Sequence, residues 1–417
     1  MPLENKHLDK ALTNYIPIGL VFIGTIGNSI SFLIFLKLGT LKLKLSFKRS
    51  TNLNRFEAKN KYRIKRLESN SCNSLSDLMI LNHGAYTVYI FLSILSLLDL
   101  SVLYFGLLND WLEISSKTLN FKLHSSLLCK LIPFFAYVFS HSSSWLVVVV
   151  SFIRLLAIYK PSAACQLTRK KNVVKVVLFL GTVLTMVDLS FFWAHELNVK
   201  SFADFLPEYF NSNEINSTVL ISDQQKYMNL EELIYTCEIK KNKFALDILP
   251  ILDKLVYCLI PFWLLAIMNF LIIRKTNVKT SKEHKYKYIA KFQKEDVENH
   301  FKSNVRSKKK QIKNKSVEYH LIGRKFTIML LAKSFGFLIF TLPILIMFVC
   351  LKKIENYLEN IKDLENMTKG YEILYIVQKT TYLLMYLNHS INFFIYFKFS
   401  PRFRRILFEF FTWFKKK

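Results

Sequence analysis

Long apolar runs alternate with polar segments along the whole chain. A helix needs about 20 residues to cross the ~30 Å hydrocarbon core of a bilayer. Seven runs approach or exceed this length: Ile16–Leu36, Tyr86–Leu108, Leu127–Ile158, Val173–Phe192, Ile248–Ile273, Thr327–Val349 and Leu374–Tyr396. Because only helices can satisfy their backbone groups in lipid at this spacing, the pattern predicts an all-α fold. We expect a seven-transmembrane helix bundle over residues 16–396.

The polar segments between these runs fall into two groups of different charge. The first group holds 41 Lys and Arg against 9 Asp and Glu, and the alternating group holds 13 against 17. The basic group comprises residues 37–85, 154–175, 274–325 and 397–417. The acidic group comprises residues 1–15, 109–128, 195–245 and 351–372. Since Lys and Arg accumulate in cytoplasmic loops, we expect an extracellular N-terminus, an odd number of spans and a cytoplasmic C-terminus.

The formal net charge of +28 has to be interpreted together with this segregation. In a soluble protein such a charge would favour nucleic acid as the partner. Here 52% of the residues are hydrophobic and the basic residues lie between the apolar runs, so we expect attraction to anionic membrane lipid and no nucleic acid. The basic loop at 37–85 is long for a first loop. A disordered insertion and an error in the gene model both remain open for it.

Polar residues inside an apolar span are costly and usually functional. Asn28 follows Gly27 in the first span, and Asp99 lies in the middle of the second. Ser143 lies in the third span, eleven residues before Arg154. The other marked positions are Pro161 after the third span, Phe337 and Pro343 in the sixth, and Asn388, Asn392 and Tyr396 in the seventh.

In their order and spacing, these residues resemble the rhodopsin-like (class A) G-protein-coupled receptors. The run from Asn388 to Tyr396, together with Ile260-Pro261-Phe262, resembles invertebrate neuropeptide receptors of the FMRFamide type. The resemblance covers nearly all of the chain outside the long loops. It implies a plasma-membrane receptor for an extracellular short peptide, basic and amidated, that signals through a heterotrimeric G protein. The sequence contains no Gly-rich phosphate loop, metal-spaced His/Cys set or nucleophile elbow, so no enzymatic activity is expected.

The resemblance assigns Asp99, Ser143, Asn388 and Asn392 to the family's allosteric sodium site, with Asn28 in the same polar network. A carboxylate with hydroxyl and amide oxygens suits a hard monovalent cation, which lowers the cost of the buried charge. A hydrogen-bonded network that joins helices without an ion is the alternative. No other cofactor is expected.

The resemblance assigns activation and G-protein coupling to five of the marked residues: Arg154, Pro161, Phe337, Pro343 and Tyr396. Pro343 removes one helical hydrogen bond and allows a bend. Such a bend would swing the cytoplasmic end of the sixth helix outward, as in the family. Ile153 stands where the family has an acid beside its arginine. We therefore expect Arg154 to be less restrained and ligand-free signalling to be raised.

Several features are predicted outside the spans. Cys129 lies 25 residues before Arg154, the family's separation for its loop-pinning disulfide, and the resemblance pairs it with Cys237. Asn216 and Asn366 begin glycosylation sequons. Residues 397–417 are predicted to form a short amphipathic eighth helix and basic C-terminus. The apolar face of this helix would comprise Phe399, Phe403, Ile406, Leu407, Phe410 and Phe414.

The ligand pocket is predicted between the outer halves of the third, fifth, sixth and seventh helices. Its candidates by position are Tyr137, Ser140, Phe348, Gln378, Tyr382 and Tyr386. The acidic candidates for a basic ligand are Glu196, Glu231, Glu232, Glu238 and Asp247, with no choice among them.

A non-peptide small ligand on the same fold and a membrane transporter are the competing functions. Ala136 stands where amine receptors place an ammonium-binding Asp, and Tyr386 stands where opsins need a Lys. A transporter would show inverted repeats with paired broken helices, and the sequence has neither. Both alternatives are therefore disfavoured relative to a peptide receptor.

Overall fold

The computed structural model describes residues 9–57, 76–115, 119–168, 170–201, 233–277, 306–361 and 363–414. The long helices are α1 (Ile16–Glu57), α2 (Ser76–Val102), α3 (Ser126–Tyr159), α4 (Lys170–Ala194), α5 (Phe244–Asn277), α6 (Arg306–Glu359), α7 (Leu364–Ser390) and α8 (Pro401–Phe414). Wider turns extend two of them: Ala11–Tyr15 precedes α1, and Leu103–Leu108 follows α2. The helical segment Asn109–Ser115 comes next, and we refer to Leu103–Ser115 as the extension of α2 and include it when we speak of the end of α2. Short helices follow α3 (Pro161–Leu167) and α7 (Asn392–Phe399). The strands are β1 (His195–Ser201) and β2 (Leu233–Ile239).

Among the residues that the structure describes, six helices are long and apolar enough to cross a membrane, by length and composition. They are Ala11–Gly39, Thr87–Ser115, Ser126–Tyr159, Lys171–Ala194, Phe244–Asn277 and Lys325–Glu359. These six coincide with the first six apolar runs of the sequence. The seventh run, Leu374–Tyr396, is also helical but is not among the six. The chain is therefore an all-α protein with the character of a multi-pass membrane protein.

The helices are longer than the apolar runs that predicted them. α1 continues to Glu57 and α2 begins at Ser76, so both ends of the predicted loop 37–85 are helical. α6 likewise begins at Arg306, inside the basic segment 274–325. Leu and Lys are good helix formers, which explains why these helices continue past their apolar runs. Residues 58–75 and 278–305 lie outside the described part of the chain.

The predicted extracellular loop 195–245 contains a strand pair that the sequence did not predict. β1 pairs with β2 in antiparallel register, with His195 opposite Ile239 and Ser201 opposite Leu233. The segment that joins the strands, 202–232, is outside the described residues. Strand pairing depends on which distant segment lies alongside, and this information is not in a local hydrophobic pattern.

Side-chain caps set where helices begin. Ser125 Oγ accepts a hydrogen bond from the backbone N–H of Leu128 at 3.1 Å, which fixes the first turn of α3. Ser400 Oγ accepts from the N–H of Phe403 at 3.3 Å, and Pro401 is the first residue of α8. The chain therefore turns at Ser400, and the buried Phe403 side chain of α8 packs against Phe35 of α1.

α7 packs against α6 and α1, and its helix breaks at Ile391. Gly24 and Gly27 of α1 face this break. A Cβ on Gly27 would lie 2.9 Å from Cβ of Phe393, and one on Gly24 would lie 3.2 Å from Oγ of Ser390. Small residues allow two membrane helices to approach closely, and here they bring α1 against the break itself.

Compared with a soluble protein, this protein exposes large apolar side chains and buries polar ones. On α4, Phe179 is 71% exposed and Met186 is 74% exposed, whereas Asp99 and Asn392 are fully buried. A soluble monomer rarely exposes extended apolar surface, and lipid tolerates no unpaired polar groups. The apolar exterior and polar interior fit a protein whose helices lie in lipid.

Candidate functional site

A fully buried carboxylate, Asp99, lies within α2. Its Oδ1 accepts hydrogen bonds from Ser143 Oγ on α3 at 2.6 Å and from His389 Nδ1 on α7 at 2.7 Å. Its Oδ2 accepts from Asn392 Nδ2 at 2.5 Å. The structure thus places three of the predicted polar residues in direct contact, and adds His389 to them. We call these four residues the aspartate network.

His389 connects the aspartate network to two further helices. Its Nε2 lies 3.3 Å from the hydroxyl of Tyr257 on α5, and its backbone carbonyl accepts from Asn28 Nδ2 on α1 at 2.9 Å. A neutral imidazole meets both side-chain contacts, because Nδ1–H donates to Asp99 while Nε2 accepts from the Tyr257 hydroxyl. His389 thus joins α7 to α2, α5 and α1 through its side chain and its carbonyl.

Lys333 is a second buried charged residue of this region and lies on α6. It is 2% exposed, and its Nζ donates to the backbone carbonyl of Asn388 at 3.4 Å. A lysine within a membrane span is expensive unless it is paired. Asn388, predicted as an ion ligand through its side chain, takes part here through its backbone carbonyl.

The residues around Asp99 do not fit the sodium ion that the resemblance implies. A hard cation needs oxygen ligands, but the Ser143, His389 and Asn392 groups that contact the carboxylate donate hydrogen bonds to it. The ammonium of Lys333 would also repel a second cation. In the described part of the chain, no three or more His, Cys, Asp or Glu residues form a group that could hold a metal.

A second buried charged group, the histidine cluster, joins α3, α4 and α5. His141 Nδ1 lies 2.5 Å from Asp188 Oδ1, and His141 Nε2 lies 3.1 Å from Asp253 Oδ1. Lys254 forms an ion pair with the other oxygen of Asp253. Since both ring nitrogens face carboxylate oxygens, both must donate, and the ring is an imidazolium. Two positive charges therefore balance two negative charges in the histidine cluster.

Two of the predicted pocket residues meet where α2 approaches α7. The rings of Tyr382 and Tyr386 lie 6.3 Å apart, and the Tyr386 hydroxyl donates to Asp110 Oδ2 at 3.3 Å. A Cβ on Gly106 would lie 2.6 Å from that hydroxyl. Glycine at 106 is therefore what allows Tyr386 to reach Asp110.

Asp110 also belongs to an ion-paired group at the end of α2. Lys122 Nζ lies 3.3 Å from Asp110 Oδ1 and 2.9 Å from Glu113 Oε2. Burial lowers the pKa of Lys122, but the two carboxylates outweigh that effect and raise its pKa above the usual 10.5. Lys122 is therefore charged and fixes the orientation of Asp110 beside Tyr386.

The other predicted pocket residues are spread over several elements. Tyr137 on α3 stacks on Phe191 of α4, with ring centroids 3.8 Å apart. Ser140 on α3, Phe348 on α6 and Gln378 on α7 are each half-buried. The structure therefore brings Tyr382 and Tyr386 together, whereas Tyr137 packs against α4.

The predicted disulfide is confirmed. Cys129, at the start of α3, is bonded to Cys237 in β2, with Cα atoms 5.7 Å apart. In the same strand pair Glu238 lies opposite Glu196. Asp247 is exposed on α5, and Glu231 and Glu232 lie outside the described residues. The bond therefore fixes a strand pair carrying two of the acidic candidates to the end of α3.

Arg154 has partners on α6, although Ile153 offers it no acidic neighbour. Its guanidinium donates a hydrogen bond to Thr327 Oγ1 and lies 4.9 Å from the ring centroid of Phe326. A cation over an aromatic ring is attracted by the ring's quadrupole. The expectation of an unrestrained Arg154 did not include these two contacts, which join α3 to α6.

The other residues predicted to act in activation lie on different elements. Pro161 is the first residue of the short helix after α3, a position that proline favours. Pro343 lies inside α6, and Phe337 is buried one turn and a half before it. Tyr396 is fully buried in an aromatic cluster with Phe35. They form no single site, and Pro343 and Phe337 belong to one helix.

Of the two predicted glycosylation sites, one can be described. Asn366 is exposed near the start of α7, and its Nδ2 donates to Asp363 Oδ2 at 2.6 Å. Asn216 lies outside the described residues. Exposure of Asn366 is compatible with a glycan.

Sequence reasoning missed four charged residues of the apolar runs whose side chains the structure places in the interior. They are Asp188, Asp253, Lys254 and Lys333. The signal was present, because a charged residue within a span is costly and usually functional. The same criterion singles out Asp99, which also stands in a motif of the resembled family.

Comparisons with known proteins do not provide a family. No protein-family model matches the chain, and no match is found among curated proteins.

Proposed function

We propose that the chain is a rhodopsin-like G-protein-coupled receptor for a short extracellular neuropeptide, which signals through a heterotrimeric G protein. The observation that supports this most is the contact of Asp99 with Ser143 and Asn392 in one buried network. These partners lie 44 and 293 residues from Asp99 along the chain. The resemblance groups the same residues from their positions in the sequence, independently of any contact.

In the proposed receptor, α7 is the seventh span of the bundle. It packs against α1 and α6 and supplies His389 and, just after its break, Asn392 to the aspartate network. A helix whose inner face carries such polar groups has a lower average hydropathy than its neighbours. This accounts for the absence of α7 from the six most apolar helices. When α7 is counted with those six, the proposed receptor has seven spans, an odd number.

α8 is the proposed amphipathic helix at the membrane surface. Phe403, Ile406 and Leu407 are buried on one face, whereas Arg405 is exposed. Basic and apolar residues on different faces are typical of a helix in the headgroup region. α8 would therefore run along the cytoplasmic leaflet rather than cross it.

The proposed orientation puts the strand pair outside the cell. A disulfide persists in oxidising compartments, so the Cys129 end of α3 faces outward. The opposite end of α3, with Arg154, then faces the cytoplasm. The N-terminus would be extracellular, in agreement with the basic character of the opposite segments.

The peptide would bind at the end of the bundle that carries the disulfide. Tyr382 and Tyr386 provide aromatic surface there, and Asp110 provides a half-exposed carboxylate beside them. A basic and aromatic ligand matches this combination of ring and charge. Asp110 joins Glu238 as an acidic candidate, and sequence reasoning did not include it.

The proposed switch is the set of contacts between α3 and α6. Arg154 contacts Thr327 and Phe326, and these contacts have to break if the end of α6 moves outward. Pro343 removes a helical hydrogen bond in α6 and provides a place for it to bend. Peptide binding would shift the population toward the state in which these contacts are broken.

The test is a screen of short amidated peptides against cells that express the chain, with calcium and cyclic-nucleotide reporters. A dose-dependent response to one peptide family is expected. Arg154→Ala is the matched control, because it should lose the response while surface expression persists. Responses only to serotonin or light, in the absence of any peptide response, would contradict the proposal.

The orientation has its own test. Epitope tags at the two ends of the chain should differ on intact cells, with the N-terminal tag accessible to antibody and the C-terminal tag accessible only after permeabilisation. Equal accessibility of both tags would exclude an odd number of spans.

A further inference from the structure

We infer that Trp145 of α3 is a positioning residue for the aspartate network. Its indole N–H holds a wide turn of α5 in place, and this turn directs Tyr257 toward His389. The inference rests on hydrogen bonds between described residues. It depends neither on the protonation state of any group nor on the proposed receptor function.

α5 contains a wide turn, Leu255–Leu259, in which backbone hydrogen bonds span five residues instead of four. The N–H of Ile260, directly after this turn, donates to the carbonyl of Leu255. In a regular α-helix the same N–H would donate to the carbonyl of Val256. The wide turn therefore takes the usual donor away from Val256.

Pro261 prevents the next backbone position from replacing that donor. A proline has no N–H, so residue 261 cannot donate to the carbonyl of Val256. In a regular helix the proline ring also collides with the carbonyl four residues before it, which here belongs to Tyr257. An additional residue in the turn relieves this collision, which explains why the wide turn directly precedes Pro261.

Trp145 supplies the missing donor from another helix. Its Nε1–H donates to the carbonyl of Val256 at 3.0 Å. Both residues are half-buried, and a buried carbonyl without a partner costs more than one hydrogen bond contributes. Without the indole N–H, the N–H of Ile260 would have to return to Val256. That change would close the wide turn into a regular one.

The direction of the Tyr257 side chain depends on this turn. Tyr257 lies at its centre and is 3% exposed, and its hydroxyl lies 3.3 Å from Nε2 of His389. Asp253, before the turn, contacts His141 at 3.1 Å. One additional residue in a turn rotates the side chains on its two sides relative to each other by about 100°. If the turn closed while Asp253 stayed in place, Tyr257 would move away from His389.

The test observes the His389 ring by nitrogen NMR in the detergent-purified chain with isotopically labelled histidines. The signal of His389 is the one that is absent from His389→Gln. Trp145→Phe keeps an aromatic ring and removes the indole N–H. It should shift the Nε2 signal of His389 in the same direction as Tyr257→Phe does. Adding Trp145→Phe to Tyr257→Phe should cause no further shift, because the contact is already lost.

Thermal unfolding provides a second readout. Trp145→Phe should lower Tm by about 3–6 °C, since the carbonyl of Val256 loses its donor. Pro261→Ala restores a backbone N–H after the wide turn, so the same replacement in that background should cost less than half as much. A loss caused only by the smaller ring would be equal in both backgrounds.

Trp193→Phe is the matched control, because Trp193 is 61% exposed on α4. It should leave the His389 signal unchanged and Tm within about 1 °C of the unchanged protein.

Three results would overturn the inference. The first is a folded Trp145→Phe variant whose His389 signal matches that of the unchanged protein. The second is an equal loss of Tm in the two backgrounds. If Trp145→Phe does not fold, the variant that also carries Pro261→Ala should fold, and its failure to do so is the third. None of these measurements involves a peptide, so failure of the peptide screen would leave them intact.

Discussion

Replacing His141 with Phe should destabilise the bundle, because it leaves the buried carboxylate of Asp188 without a partner. His141 is fully buried and bridges Asp188 and Asp253 with its two ring nitrogens. After the replacement Asp253 keeps its ion pair with Lys254. Asp188 loses its contact with His141, and its second oxygen already lacks a partner among the described residues. The variant therefore leaves one buried carboxylate without compensation.

The expected loss follows from that single orphaned group. Breaking a buried ion pair by removing one partner costs about 3–5 kcal/mol. Because Asp253 remains paired, the lower end of that range, about 3 kcal/mol, applies here. At roughly 2–4 °C per kcal/mol, Tm should fall by about 6–12 °C.

The assay is thermal unfolding of the detergent-purified chain, with two further variants. Adding Asp188→Asn to His141→Phe should recover more than half of the loss, because the uncompensated charge is removed. His124→Phe is the control, since His124 is exposed, and surface substitutions usually change stability by less than about 0.5 kcal/mol. An unchanged Tm for His141→Phe, or a loss that Asp188→Asn does not relieve, would refute the imidazolium bridge.

Two further predictions concern the two ends of the bundle. Thr327→Ala removes the hydrogen-bond acceptor of Arg154 on α6. Because such a bond is worth about 1 kcal/mol, ligand-free G-protein signalling in cells should rise roughly fivefold. Unchanged basal signalling would contradict this prediction. Burial lowers the pKa of His195 from 6.5. The unfolded chain therefore binds the proton more readily, and stability present above pH 6.5 is lost as pH falls through the folded-state pKa. His195→Gln should flatten this decline of Tm between about pH 7.5 and 5, and equal slopes would count against the neutral buried ring.

The membrane-spanning part of the fold could be predicted from the sequence because lipid imposes a simple rule. A helix of about 20 apolar residues is needed for each crossing, and six predicted runs coincide with helices that meet this requirement. The ends of the helices could not be predicted in the same way. α1 extends to Glu57 because helix propensity continues where hydrophobicity stops.

The candidate site could be predicted in part. Asp99, Ser143 and Asn392 meet because each is a polar residue that an apolar environment forces to find a partner. The contact of Lys333 with the Asn388 carbonyl could not be derived from spacing, since it depends on how α6 is rotated relative to α7. The Cys129–Cys237 pairing came from the resemblance, whereas the strand pair that carries Cys237 requires a long-range alignment.

The glycines of α1 determine the position of α7 along its helix axis. Ser390 and Phe393 flank the break in α7 and lie against Gly24 and Gly27, and a Cβ on Gly27 would be only 2.9 Å from Cβ of Phe393. The absence of a side chain at Gly27 leaves a gap on α1 that Phe393 occupies. If α7 moved along its axis by one helical turn, about 5.4 Å, Phe393 would no longer lie in this gap. The contact with α1 therefore fixes where Asn392 lies relative to Asp99 along the axis of the bundle.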